Sequence, residues 1–252
     1  MEVVMDKFIL ESCVDSVESA VIATDAGANR LELCANLIIG GTTPTLAMFQ
    51  QIRKRCDNKI HVLIRPRFGD FCYTEDEFEI IKEEVKQYNK FGADGVVIGI
   101  LTPEGELNMQ QMSVLRTEAG NMSVTLHRAF DMCKDPKKAL EQAIELGIDS
   151  ILTSGQANDC VTGKECLKDL YQLSNHRIEI LVGSGVNAGV IKEIYQHTGA
   201  TSYHMSGKKI INSAMAYRKE NVFMGLDGFD EYSIWRTEKT EIERAVTLLK
   251  EL

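Results

Sequence analysis

The sequence predicts an α/β protein built as one TIM (β/α)8 barrel, a single domain over residues 1–252. Three observations lead there. Short apolar runs, long enough for buried strands and too short for helices, alternate with amphipathic segments. Eight such units follow one another within 252 residues, more than an open doubly wound sheet usually carries. No linker, low-complexity stretch or fixed repeat interrupts them. Apolar strands separated by helices imply a parallel sheet that is covered on its faces.

The first strand is expected over Lys7–Cys13, then a helix over Asp15–Ala26, capped by Asp15 or Ser16 and closed by Gly27. Arg30–Ala35 reads as the second strand. Pro44, after the flexible Gly40-Gly41-Thr42-Thr43, suits the first turn of a helix running to about Cys56. The third strand opens the stretch Ile60–Tyr73, IHVLIRPRFGDFCY, and ends at Arg65 because Pro66 has no N–H for a sheet ladder. A capping-box pattern at Thr74–Glu77 starts a helix to about Phe91, which Gly92 stops.

Strands four to eight fall at Gly95–Ile100, Ser123–His127, Ser150–Ser154, Ile178–Val182 and Ser202–Met205. The remaining helices are expected over Asn108–Ala119, from Asp135-Pro136 to Gly147, from about Gly163, over Asn187–His197 and over roughly Lys239–Leu252. Between the eighth strand and the last helix, Gly207–Glu238 is too long for an ordinary connection and holds the only tryptophan, Trp235. This segment is expected to be ordered, with Phe223, Phe229 and Trp235 packed on the barrel or on a second subunit. The chain is accordingly expected to form a homodimer or a higher homo-oligomer.

Composition narrows the function. Apolar residues make up 44% and charged residues 26%, enough to bury a core in a soluble protein. A net charge of −9 with no basic tract argues against nucleic acid as a partner. No apolar run approaches membrane-spanning length, and the N-terminal MEVVMDKFILES lacks the order of a secretory signal. Seven scattered cysteines, an odd number without a CxxC pair, form no disulfide framework. Together these point to a reduced, cytoplasmic protein.

In a barrel the working face lies where the strands end. There the first strand offers Glu11 and Cys13, the second Glu32 and Cys34, the third Arg65, the fifth His127, and the eighth Ser202, His204 and Ser206. Side-chain alternation places each set on one side of its strand. Buried guanidiniums need an anion. Arg65 and Arg67 are therefore met either by chain carboxylates, Arg65 pairing with Glu11 and Glu32, or by a bound carboxylate or phosphate. His127-Arg128 with Asp131 adds a proton carrier and an orienting carboxylate.

Two glycine-rich turns, Gly183-Ser184-Gly185 and Ser206-Gly207-Lys208, follow strands seven and eight, where barrels often bind anions. Arg65, Arg67, Arg128, Gly183, Ser184, Gly185, Ser206 and Gly207 are thus the candidate anion-binding set. Glu11, Glu32, Arg65, His127 and Asp131 are the candidate catalytic set. Cys13 and Cys34, at the ends of neighbouring strands, are near enough for a two-thiolate Cu(I) or Zn(II) site, or are simply packed core thiols.

The segments ESCVDSVESA, GANRLELCANLIIGGTTPT, IRPRFGDFCYTEDE, GVVIGIL, TLHRAFD, ILTSG, GSGV and HMSG run from the first strand to the eighth. In combination they resemble the CutC copper homeostasis proteins. The resemblance implies a cytoplasmic TIM barrel linked to copper tolerance and Cu(I) binding, and the thiols it would favour are Cys13 and Cys34. Two other readings of the same residues stay open. One is an enzyme acting on a small anionic substrate, with His127 as acid–base and Arg65 as anion clamp. The other is a module that senses a metabolite.

Overall fold

A computed structural model describes residues 8–222, 224–225 and 230–252. Eight parallel strands close a barrel: β1 (Ile9–Val14), β2 (Arg30–Leu33), β3 (Lys59–Leu63), β4 (Gly95–Ile98), β5 (Ser123–Leu126), β6 (Ser150–Thr153), β7 (Glu179–Val182) and β8 (Ser202–Met205). β8 pairs back onto β1, with Glu11 level with His204. Helices α1 (Val17–Asp25), α2 (Leu46–Arg53), α3 (Glu75–Lys90), α4 (Met109–Ala119), α5 (Pro136–Glu145), α6 (Lys164–Ser174), α7 (Ala188–Thr198) and α8 (Lys239–Glu251) alternate with them. No described helix is long and apolar enough to cross a membrane.

Local chemistry sets the boundaries. Ser16 caps α1 by accepting from Ser19 N at 3.2 Å, which decides between the two candidates there. The capping box of Thr74 and Glu77 forms as the sequence predicts. Pro44 does not enter α2. Thr45 is the cap, accepting from Met48 N, and the helix begins one residue later.

Among the described residues, two apolar regions result. The larger lies between the barrel and the helices, built by side chains such as Leu31, Leu33, Ile60, Val62, Ile98 and Tyr203. The smaller sits inside the barrel: Cys13, Cys34, Leu63 and Val97, with Leu37 packed on top. The lumen is thus greasy at the level of the thiols and ionic just below.

The long connection after β8 forms a hairpin of β9 (Lys208–Asn212) and β10 (Ser233–Thr237). Its base is tied to α1, where Thr237 N donates to Ser19 Oγ at 3.1 Å and Arg236 Nε lies 2.7 Å from Glu18 Oε2. Trp235 is half-buried there, with Lys208 Nζ 3.5 Å from its ring centroid. Phe223 and Phe229 lie outside the described residues.

Candidate metal centre at the mouth of the barrel

Alternation puts Glu11 and Cys13 of β1, Arg30 and Glu32 of β2, and Cys34 just past the end of β2 toward the lumen. Register then decides who meets whom. Glu11 is level with Arg30 on one side and His204 on the other, while Glu32 is level with Cys13 and His61. Arg30 Nε sits 2.5 Å from Glu11 Oε2, and its Nη2 donates to Glu179 Oε1 at 2.9 Å. His204 Nδ1 lies 2.7 Å from Glu11 Oε1, and its Nε2 is 3.8 Å from Glu32 Oε2.

These neighbours separate the two carboxylates. Burial alone would raise the Glu11 pKa, but Arg30, His204 and His61 together hold it well below the usual carboxylate range. Glu32 makes no ion pair with Arg30, whose pull on it is weaker than the effect of burial. Burial, with Glu11 nearby, pushes its pKa up. His204, placed between both carboxylates, has its pKa raised by them against the opposing effect of burial.

Directly above lie the thiols. Cys13 Sγ donates to Glu32 Oε2 at 3.0 Å and is 3.7 Å from Cys34 Sγ. Cys34 Sγ donates to Val14 O at 3.6 Å. Cys13 is 4% exposed and Cys34 fully covered. The hydrogen bond with Cys34, then burial, pushes the Cys13 thiol well above its ordinary pKa, so it is neutral without a metal. Cys13, Glu32 and His204 each offer one donor atom, all within 4.8 Å of one another. A soft pair of sulfurs with a nitrogen and an oxygen beside it suits Cu(I) or Zn(II) rather than Mg(II) or Ca(II).

Gly41 helps hold the sulfurs in place. It has φ +85°, and an added Cβ would lie 2.7 Å from Leu63 Cδ2 and 3.4 Å from Cys34 Cβ. Gly41→Ala is therefore expected to cost about 1–3 kcal/mol, read as a lowered urea midpoint, and to displace Cys34. An alanine variant with the parent's midpoint would show that the loop yields freely.

Several expected pairings do not form. Arg65 pairs with neither Glu11 nor Glu32. It stands past the end of β3 and donates to the backbone oxygens of Gly41 (3.1 Å) and Gly69 (2.8 Å), with its guanidinium over the Phe71 ring. Arg30, not Arg65, is the counter-charge of Glu11, because parallel register sets Arg30 opposite it. Arg67 is turned outward to Glu77 and Asp70.

Asp131 does not orient His127. The 3-10 turn Arg128–Met132 carries it to the end of β6, where it accepts from Thr153 Oγ1 (2.6 Å) and Ser154 Oγ (3.0 Å) and pairs with Arg128 Nε (2.7 Å). His127 Nδ1 accepts from Ala129 N at 3.1 Å, which leaves the ring proton on Nε2. Burial, with Arg65 nearby, pushes its pKa down to about 3. This histidine is a neutral donor, poorly suited to take up a proton.

The glycine-rich turns open onto a cleft of ≈ 530 Å³. Ser184, Gly185, Ser206, Gly207, Arg128 and Lys208 line it, and Cys13 and His204 form its floor. Gly183 instead packs against Leu152. Arg30, Glu179, His61 and His204 complete the ionic layer without having been assigned roles from sequence. Counting back by two from Glu32 and from Leu181 marks Arg30 and Glu179, but only register shows that they meet.

Comparison with known proteins matches residues 8–209 to the CutC family. A family protein CutC from Bacteroides fragilis (strain YCH46) is 43% identical over 222 residues, covering 88% of each chain. A copper homeostasis protein cutC homolog from Mus musculus is 37% identical over 246 residues, 97% of this chain and 90% of the mouse one. The crystal structure of CutC from Streptococcus agalactiae superposes with a TM-score of 0.74 at 31% identity, covering 79% of this chain and 98% of that one. A thiamine phosphate pyrophosphorylase from Pyrococcus furiosus, 17% identical with a TM-score of 0.54, shares the barrel fold alone.

Proposed function

This chain belongs to the CutC family, and from that premise we propose that it serves copper homeostasis by binding Cu(I) through Cys13 and Cys34, as a cytoplasmic buffer or trafficking protein. The observation that carries the reading is the buried sulfur pair, 3.7 Å apart at the floor of the mouth. Cu(I) prefers soft ligands, and the surrounding lumen excludes water and harder competitors. Glu32 accepts the hydrogen bond of Cys13 and stands beside the pair to relay the proton that this thiol gives up on binding. The seven free cysteines suit a reducing compartment.

Replacing both thiols with serine is expected to weaken Cu(I) binding by at least a hundredfold, on the order of the loss from removing metal ligands or their supports. Competition against a chromophoric Cu(I) chelator measures it. A double variant that competes as well as the parent rules this site out. The exposed Ile210, Met215 and Tyr217 on the hairpin arm support self-association, which sedimentation tests.

An enzymatic reading draws its support from the cleft, whose walls carry Arg128 and Lys208. In that case proton transfer falls to Glu32 and His204, since the geometry of His127 makes it a donor. Stabilisation of the protein by inorganic phosphate, undiminished in the double serine variant, would favour this reading.

A further inference from the structure

The route to the thiols constrains the form in which copper arrives. Cys13 lines the cleft, whereas Cys34 is fully covered and lies 3.7 Å behind it. Copper entering from the mouth therefore meets Cys13 first. In a reducing compartment, thiols hold Cu(I) in solution, and a monovalent cation bound by two thiolates is an anion overall.

The cleft is built for an anion in a chain that is not. The protein carries a net charge of −9, yet the side chains on the cleft walls include two cations, Lys208 and the Asp131-paired Arg128, against the single lining carboxylate of Glu241. Lys208 forms no ion pair among the described residues, and its ammonium is held at the mouth over the Trp235 ring at 3.5 Å. Arg128 is fixed by Asp131 through Nε and by Ser154 Oγ through Nη2 at 2.8 Å. Asn187, the cap of α7, also lines the cleft, so the N-terminus of an 11-residue helix opens onto it. Leu37 closes the side above the thiols.

Resting on the copper reading above, we propose that the cleft is a docking site for an anionic low-molecular-weight Cu(I)–bis(thiolate) complex, which hands its metal to Cys13 and then Cys34. The exchange balances without oxidant or reductant. Copper stays Cu(I). Two copper–sulfur bonds to the donor break, and two form to Cys13 Sγ and Cys34 Sγ. The two protein thiol protons leave on the two released donor thiols, and the single negative charge passes to the protein-bound complex.

The test compares loading rates from two probes, the anionic glutathione complex of Cu(I) and the cationic acetonitrile complex. The ratio of the anionic to the cationic rate is read within each variant. Lys208→Ala is expected to lower that ratio about tenfold and Lys208→Glu on the order of a hundredfold, the scale of electrostatic steering. Lys208→Arg should restore it. Lys209→Ala, whose ammonium is held by Glu238, should leave it at the parent value. Added salt should slow the anionic donor in the parent and lose that effect in Lys208→Glu. An unchanged ratio in Lys208→Glu overturns the docking site while leaving copper binding intact. Failure of both donors to load the thiols removes the copper reading and this inference with it.

Discussion

Arg30→Met is expected to destabilise the protein by about 3–5 kcal/mol, a large part of the 5–15 kcal/mol typical of a domain. Arg30 is buried and bridges Glu11, which is 1% exposed, to Glu179. A methionine fills much of its volume but leaves the Glu11 carboxylate with only His204 and the more distant His61 for company. The Glu11 pKa, held low by Arg30 among others, then relaxes upward. Removing the charge at both ends, in Arg30→Met with Glu11→Gln, should recover part of the loss, because no buried charge is orphaned. Chemical denaturation of the two single variants and the double variant measures the coupling. A single Arg30→Met variant as stable as the parent would mean that the ionic layer is solvated and contributes little.

Mild acid is expected to weaken the fold, and His127→Asn to relieve much of that weakness. Burial, with Arg65 nearby, pushes His127 from 6.5 to about 3, and burial pushes His61 from 6.5 to about 4. Between those values the unfolded chain binds protons that the folded chain refuses. Stability therefore falls as pH drops from 6.5, by about 1.4 kcal/mol per pH unit for each histidine. His204, raised, contributes a constant amount below pH 6.5. Glu32, also raised, gains stability as pH falls and offsets one part of the loss. Asparagine can accept from Ala129 N in place of His127 Nδ1 and does not titrate. The variant should be flatter than the parent by about 3 kcal/mol between pH 6 and pH 4, in urea titrations at each pH. Equal acid sensitivity would place the responsible groups elsewhere.

The barrel was legible because its strands are short, apolar and regularly punctuated, as in Val96–Ile98 and Ile151–Leu152 between their glycines and helices. The lumen side was legible too. A period of two marked Glu11, Cys13, Glu32, Cys34 and His204, and the structure sets them in one cluster. Pairing across strands was not. Alternation says which way a side chain points but not its height in the barrel, and height is what gives Glu11 to Arg30 and lifts Arg65 to the loop carbonyls. Asp131 was misplaced for a different reason: a short 3-10 turn rotates it from His127 to the end of β6. The hairpin after β8 was hidden because Lys208–Asn212 and Ser233–Thr237 lie far apart in sequence and neither is strongly apolar.

The central claim is that Cys13 and Cys34 together hold Cu(I). X-ray absorption at the copper edge of protein loaded with one equivalent of Cu(I) tests it most directly. Two sulfur neighbours in the parent, lost when Cys13 and Cys34 are both serine, is the predicted result. A parent spectrum without sulfur, or one unchanged by the double substitution, would contradict it.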